Sequence, residues 1–93
     1  MFYVYILHLK NNNLYTGQTA NLKRRFAEHE AGKVESTKFK RPLELIFYEA
    51  YLKKSDAERR EKFLKTTEGK RLLRQQLKDV LVEKGIIEIL MHP

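Results

Sequence analysis

Ninety-three residues carrying nineteen Lys+Arg against twelve Asp+Glu, a formal charge of +7, describe one small domain with no room for a second folded unit. The absence of cysteine excludes disulfide scaffolds, zinc ribbons and thiol nucleophiles, so any metal must sit on oxygen or histidine ligands. No apolar run approaches the ~18 residues of a membrane span, and the positive excess favours polyanionic partners, so a soluble, cytoplasmic protein is expected.

Residues 2 to 9 alternate, with Phe2, Val4 and Ile6 on one face and Tyr3, Tyr5 and Leu7 on the other, which is the period of a strand. Lys10-Asn11-Asn12-Asn13 is turn chemistry, because asparagine tolerates left-handed backbone, and Leu14 to Gly17 resumes strand character, completing a hairpin. Asn21 can cap a helix over roughly 22 to 31 with apolar positions Leu22 and Phe26, ended by Gly32. The stretch from Lys33 to Pro42 is polar and basic and reads as a loop, and the β-formers of Leu43 to Tyr51 predict a third strand.

Ser55 with Glu58 three residues later spells a capping box and predicts the start of a second helix. Gly69 interrupts the pattern, after which Leu72, Leu73, Leu77, Val80 and Leu81 form a 3.6-residue stripe that predicts a third helix ending at Gly85. The order ββαβαα places residues 1 to 85 in the α+β class as one domain, with a small, three-stranded, mostly antiparallel sheet flanked by helices. The apolar tail, residues 86 to 93, is expected to dock on the body or add a short strand. Residues 52 to 78 hold ten Lys/Arg and four Asp/Glu, a basic surface over the second and third helices.

Three features gain meaning together. They are Tyr5 and Tyr15 on the two strands of the hairpin, Arg25 and His29 one turn apart on the next helix, and Glu61 inside the second helix. Singly, the tyrosines suit strand packing, Arg25 suits a solvated helix face and His29 suits a helix C-terminus. Glu61 falls between Ala57 and Leu64 on the face that should be buried, and a carboxylate there wants a partner, either an arginine such as Arg25 or a metal ion.

With these positions in view the chain resembles the GIY-YIG nucleases, whose two short motifs lie on adjacent strands about ten residues apart. Tyr3-Val4-Tyr5 stands where that family has Gly-Ile-Tyr, and Tyr15-Thr16-Gly17 stands where it has Tyr-Ile-Gly. The family's downstream arginine matches Arg25, its histidine or tyrosine one helical turn later matches His29, and its metal-binding glutamate matches Glu61 in Arg60-Glu61-Lys62-Phe63-Leu64-Lys65. The phrasing is most similar to the small bacterial subgroup labelled UPF0213 or YhbQ-like. Two departures stand out: Tyr3 replaces the first motif's glycine, and Gln18 follows Gly17 where repair-type members often carry lysine.

The resemblance implies phosphodiester hydrolysis with a divalent metal, Mg²⁺ or Mn²⁺, held by Glu61 together with waters and phosphate oxygens. It assigns Tyr5 or Tyr15 to position and deprotonate the attacking water, and a phenol that ionises near pH ~10 then needs a cation beside it. Arg25 would grip the transition state, and His29 would assist proton transfer or orient a tyrosine hydroxyl. Lys23, Lys38, Lys40 and Arg41 are candidates for backbone contacts with nucleic acid, expected to be DNA. The expected function is a DNA endonuclease or nickase in repair or recombination. The alternatives are a binding module with little turnover and an accessory subunit of a larger complex.

Overall fold

The computed structural model describes residues 1–87. A three-stranded antiparallel sheet has the order β2-β1-β3, built from β1 (Phe2–His8), β2 (Leu14–Thr19) and β3 (Glu44–Tyr51). Helix α1 (Leu22–Glu30) joins β2 to β3, and α2 (Lys54–Leu64), α3 (Thr67–Gln76) and α4 (Lys78–Glu83) follow. The α+β arrangement read from the sequence is the one observed, with the last predicted helix divided in two.

Strand β1 is central, and its alternation serves two cores at once. Val4 and Ile6 bury against Ala57, Leu64, Leu73, Leu77 and Leu81 from the helices α2 to α4. Tyr5, Leu7 and Leu9 bury on the opposite face, where Leu22 and Phe26 of α1 pack with Tyr15, Leu43 and Leu45. Four consecutive buried residues, Val4 to Leu7, are therefore a strand covered on both sides rather than a loss of alternation. An irregularity between Ile6 and Leu7 shifts the register against β3, pairing Ile6 with Phe47 and Leu7 with Leu45. It turns both Ile46 and Phe47 toward the core of Val4, Ile6 and helices α2 to α4, the lower core.

The local signals explain most element ends. Asn12 adopts φ 65 in the hairpin turn, where Leu9 N–H reaches Asn13 O at 2.9 Å. The Asn21 side chain accepts from Arg24 N–H at 3.0 Å and caps α1, and Gly32 beyond its end sits at φ 75.

Four expectations need correction. The capping box does not form: α2 enters through Lys53, whose side chain makes no capping bond, so Ser55 already lies within the first turn. Gly69 does not end a helix but lies inside α3, because an added Cβ would overlap the Phe63 carbonyl oxygen, with the carbonyl carbon only 2.6 Å away. The chain breaks instead at Lys65–Thr66, where the Thr66 hydroxyl accepts from Gly69 N–H at 3.0 Å as the cap of α3. The stripe predicted as one helix breaks at Leu77 (φ −103, ψ 21), and Leu72 is exposed at its edge while Leu73, Leu77 and Leu81 carry the burial.

Of the apolar tail, Ile86 and Ile87 pack against the lower core, with Ile86 N–H bonded to Leu81 O at 2.9 Å; its remaining residues, 88 to 93, lie outside those described. No helix among the described residues is long and apolar enough to cross a membrane.

Candidate active site

The register of the hairpin sets Tyr5 opposite Gly17 and Leu7 opposite Tyr15, so both tyrosines rise from the face that α1 covers. A Cβ on Gly17 would overlap Tyr5 Cζ and Oη and stand 2.9 Å from Cε1. The glycine that closes the second motif is thus where the Tyr5 ring crosses the neighbouring strand. On α1 the i, i+4 spacing brings Arg25 and His29 over the same pair of rings.

His29 is fully buried at the centre of this cluster. Its ring meets Tyr5 edge-on at 5.6 Å and Tyr15 at 5.2 Å between centroids, and the two tyrosines are 6.3 Å apart. Nε2 and the Tyr5 hydroxyl are 2.8 Å apart, and Nδ1 and the Thr37 hydroxyl are also 2.8 Å apart. A neutral imidazole has one donor and one acceptor, so the protons along Thr37, His29 and Tyr5 run in one direction, and either direction locks the phenol in place. Burial first, and the Arg25 charge second, lower the His29 pKa and favour this neutral form. With no surface of its own, His29 suits the orienting role of the two expected for it.

The lowered pKa makes stability depend on pH. Below the ordinary histidine value of 6.5 the unfolded chain takes a proton that folded His29 refuses. Stability from this group is therefore complete above pH 6.5 and is lost as pH falls toward the lowered folded value. Urea midpoints between pH 8 and 5 should decline below pH 6.5 with a slope of up to ~1.4 kcal/mol per unit from this residue, and His29→Gln should flatten the decline. Equal slopes in the two proteins would remove His29 from the acid limb.

Tyr5 is buried, and desolvation pushes its pKa up to about 12 against the opposing influence of the nearby Arg25 guanidinium. Of the influences on its hydroxyl, burial works against the phenolate that a neighbouring cation was expected to favour, and the Arg25 charge works for it. Tyr15 retains partial exposure and is the tyrosine of the pair that has surface to offer. Arg25 is partly exposed beside both, and its Nη1 donates to Glu28 Oε1 at 3.1 Å, an i, i+3 pair that steadies the fork.

Glu61 is partly exposed on α2. The inner residues of its helix, Ala57 and Leu64, pack on the Val4 and Ile6 side, so Glu61 lies on a flank of α2 instead of on its buried stripe. Its charge is still felt at the Tyr5 hydroxyl, as the smallest of the influences there. Glu61 Oε2 pairs with Lys65 Nζ at 3.2 Å, not with Arg25. On the other flank, Arg60 makes a two-point bond to Glu49 of β3 at 2.9 and 3.2 Å, fixing the rotation of α2.

The cations expected to meet phosphates divide. Lys23 is exposed on the flank of α1 away from Arg25, beside an open groove lined by Tyr3, Phe26 and Tyr48. Lys40 is exposed and no carboxylate among the described residues pairs with it. Lys38 pairs with Glu35 at 2.9 Å. Arg41 is a staple: Nε donates to Lys38 O at 3.0 Å, Nη1 donates to Glu30 O at 3.1 Å, and its guanidinium lies where a Cβ on Gly32 would stand 2.7 Å away. Its first duty is closing the loop on the end of α1. The basic surface over α2 and α3 is likewise thinner than its count, since Arg59, Arg60, Lys65 and Arg71 each sit against a carboxylate.

Thr37 is the buried partner of this cluster that sequence reasoning missed. Its one signal is Val34 three residues earlier, an apolar residue in a polar stretch; both prove buried, turning the loop inward at that point.

Comparison with known proteins places the whole of this cluster within one matched domain. The model of the GIY-YIG catalytic domain matches residues 1–75, and the chain belongs to that family. Its relatives include a UPF0213 protein of Staphylococcus haemolyticus, 49% identical over 65 residues that make up 69% of this chain and 79% of that protein. A UPF0213 protein of Clostridium perfringens is 36% identical over 95% of this chain and 90% of its own length. The solution structure of a UPF0213 protein from Bacillus halodurans matches with a TM-score of 0.53 and 34% identity, over 82% of this chain and 85% of that one. The GIY-YIG catalytic domain suggests nuclease-type activity, and within that family the chain falls with the UPF0213 group.

Proposed function

We propose that this protein hydrolyses phosphodiester bonds as a divalent-metal-dependent endonuclease or nickase on DNA, serving repair or recombination in the cytoplasm. One observation carries the reading: Tyr5, Tyr15, Arg25 and His29, separated along the chain, meet in one cluster that leaves Arg25 and Tyr15 with surface and buries the rest. Partly exposed Tyr15 and Arg25, set beside the buried Thr37–His29–Tyr5 hydrogen-bond chain, form a pre-set anion site, which pure packing does not require.

In hydrolysis a water oxygen attacks phosphorus, the bond to one sugar oxygen breaks, and the departing oxygen takes up a proton. Tyr15 would hold the attacking water by its hydroxyl. Arg25 would bind two non-bridging phosphate oxygens, matching their separation with its planar fork as charge builds on them. Tyr5, His29 and Thr37 would act behind them as positioning residues. Glu61 offers the donor type a hard cation requires: a carboxylate, partly shielded, whose present partner Lys65 is exposed enough to give way. Among the described residues no cluster of three metal-ligating side chains exists, so one carboxylate would share the ion with substrate oxygens and waters. Bound there, a divalent cation would offset charge on the departing oxygen.

The test is relaxation of supercoiled plasmid by the full chain with Mg²⁺ or Mn²⁺ and with chelator. Metal-dependent nicking is expected, and Arg25→Lys should slow it about ten- to a hundred-fold with little change in unfolding midpoint, since the charge stays and the fork is lost. Chelator-insensitive nicking, or an unimpaired Arg25→Lys protein, would overturn the assignment. A binding module without turnover is the second reading. It is favoured by the raised Tyr5 pKa and the single carboxylate, and the same plasmid assay separates the two.

A further inference from the structure

Phe39 exposes 88% of its surface in the loop between α1 and β3. A lone exposed apolar side chain needs no special account. This one differs in how it is supported and in what surrounds it.

The loop beneath it is pinned. Lys38 N–H donates to Val34 O at 2.9 Å, Lys40 N–H to Thr37 O at 2.9 Å, and Lys10 N–H of the hairpin turn to Lys40 O at 3.0 Å. The Arg41 side chain then ties Lys38 O and Glu30 O together. An aromatic ring on such a support loses little freedom when something settles on it. Its sequence neighbours are cations: Lys38, whose Nζ is 5.0 Å from the ring centroid, Lys40 and Arg41. Two residues before it, Thr37 holds His29, so the ring stands on a segment bonded directly to the cluster.

We propose that Phe39 is a stacking platform for an unpaired nucleobase of the strand whose phosphate lies at Arg25 and Tyr15, an inference that rests on the nucleic-acid reading above. An exposed ring flanked by ammonium groups fits a nucleotide on both counts, the base against the ring and its phosphates against Lys38 and Lys40. Any base presents such a face, so the contact carries no sequence preference. Within an intact duplex both faces of every base are already stacked. The ring therefore finds a partner only in a single strand, a gap or a frayed end, and the substrate is placed by the interruption of pairing.

Anisotropy with a labelled single strand and a blunt duplex of the same sequence tests this, using the full chain and its Phe39→Ala and Phe39→Trp variants. Phe39→Ala should weaken single-strand binding roughly five- to a hundred-fold and duplex binding less than about two-fold. Phe39→Trp should restore the affinity. Because the chain contains no tryptophan, its emission reports on this one position and should be quenched by the single strand far more than by the duplex. Unchanged single-strand affinity in Phe39→Ala would overturn the proposal and direct the ring to a protein partner. Equal losses on both substrates would overturn the role of unpaired bases. A parent protein that binds neither nucleic acid at low salt would instead bring down the nucleic-acid reading, and this proposal with it.

Discussion

Glu61→Gln is expected to reduce metal-dependent plasmid nicking by at least about 10³-fold while leaving the fold intact. The amide keeps the shape and the hydrogen-bonding capacity of the carboxylate but loses the charge that holds a hard cation, so the loss falls on turnover. The structural cost is small. Among the described residues the only ion pair involving Glu61 is the i, i+4 contact with Lys65 on the surface of α2, and such pairs contribute about 0.3–0.5 kcal/mol. Binding of nucleic acid in the absence of metal should survive, because Arg25 and the loop lysines are untouched. The measurement is the nicking rate beside the urea midpoint of the same preparation. A well-folded Glu61→Gln protein that nicks at the parent rate would exclude the residue from the reaction and leave the cluster over α1 to work alone.

Gly17→Ala is expected to destabilise the protein by about 2 kcal/mol or more and to abolish nicking, although alanine is otherwise harmless in a strand. Its methyl group needs the space held by the end of the Tyr5 ring. That ring cannot simply swing aside, because its hydroxyl is tied to buried His29 and its edge is packed against Tyr15. Either the strands part or the Tyr5–His29 bond breaks, and a buried polar group left without its partner costs about 1–3 kcal/mol besides the strain. A double-mutant cycle isolates the cause: in a Tyr5→Leu background the extra methyl has room, so Gly17→Ala should cost much less there. Additive losses would mean that the glycine is required for some other reason.

These two residues mark how far the sequence can be read. The hairpin and the first helix were legible because their signals are local: alternation, an asparagine turn and an asparagine cap each act within a few residues. Tyr5, Tyr15, Arg25 and His29 were legible as a set through motif spacing, and strand and helix periods bring those four together. Their surroundings were not. Whether Tyr5 is a phenol or a phenolate depends on how much protein covers it, which no spacing reveals. Thr37 hides in a polar loop, and Arg41 carries the charge of a phosphate ligand while serving two carbonyls. Ser55 and Glu58 spelled a cap that the chain does not use, because α2 starts two residues too early for it. Gly69 was misread for a different reason: a glycine in a helix interior looks like a break until the neighbouring backbone that occupies its missing side chain is seen. Glu61 falls on α2 as its spacing implies, but its pairing with Lys65 one turn on, rather than with an arginine across the fold, is not legible from periodicity.

The position of β1 also bears on the protein's synthesis. This strand is translated before both of its sheet neighbours, yet it is the middle of the sheet, and its second neighbour begins only at Glu44. The far end of the hydrogen-bond chain that holds Tyr5 waits for Thr37, and the acidic residue waits for α2. A nascent chain that has exposed only the hairpin and α1 holds both tyrosines and the arginine but no finished cluster. Whatever chemistry the finished cluster supports, a ribosome-bound chain cannot direct it at the RNA beside it until α2 has emerged.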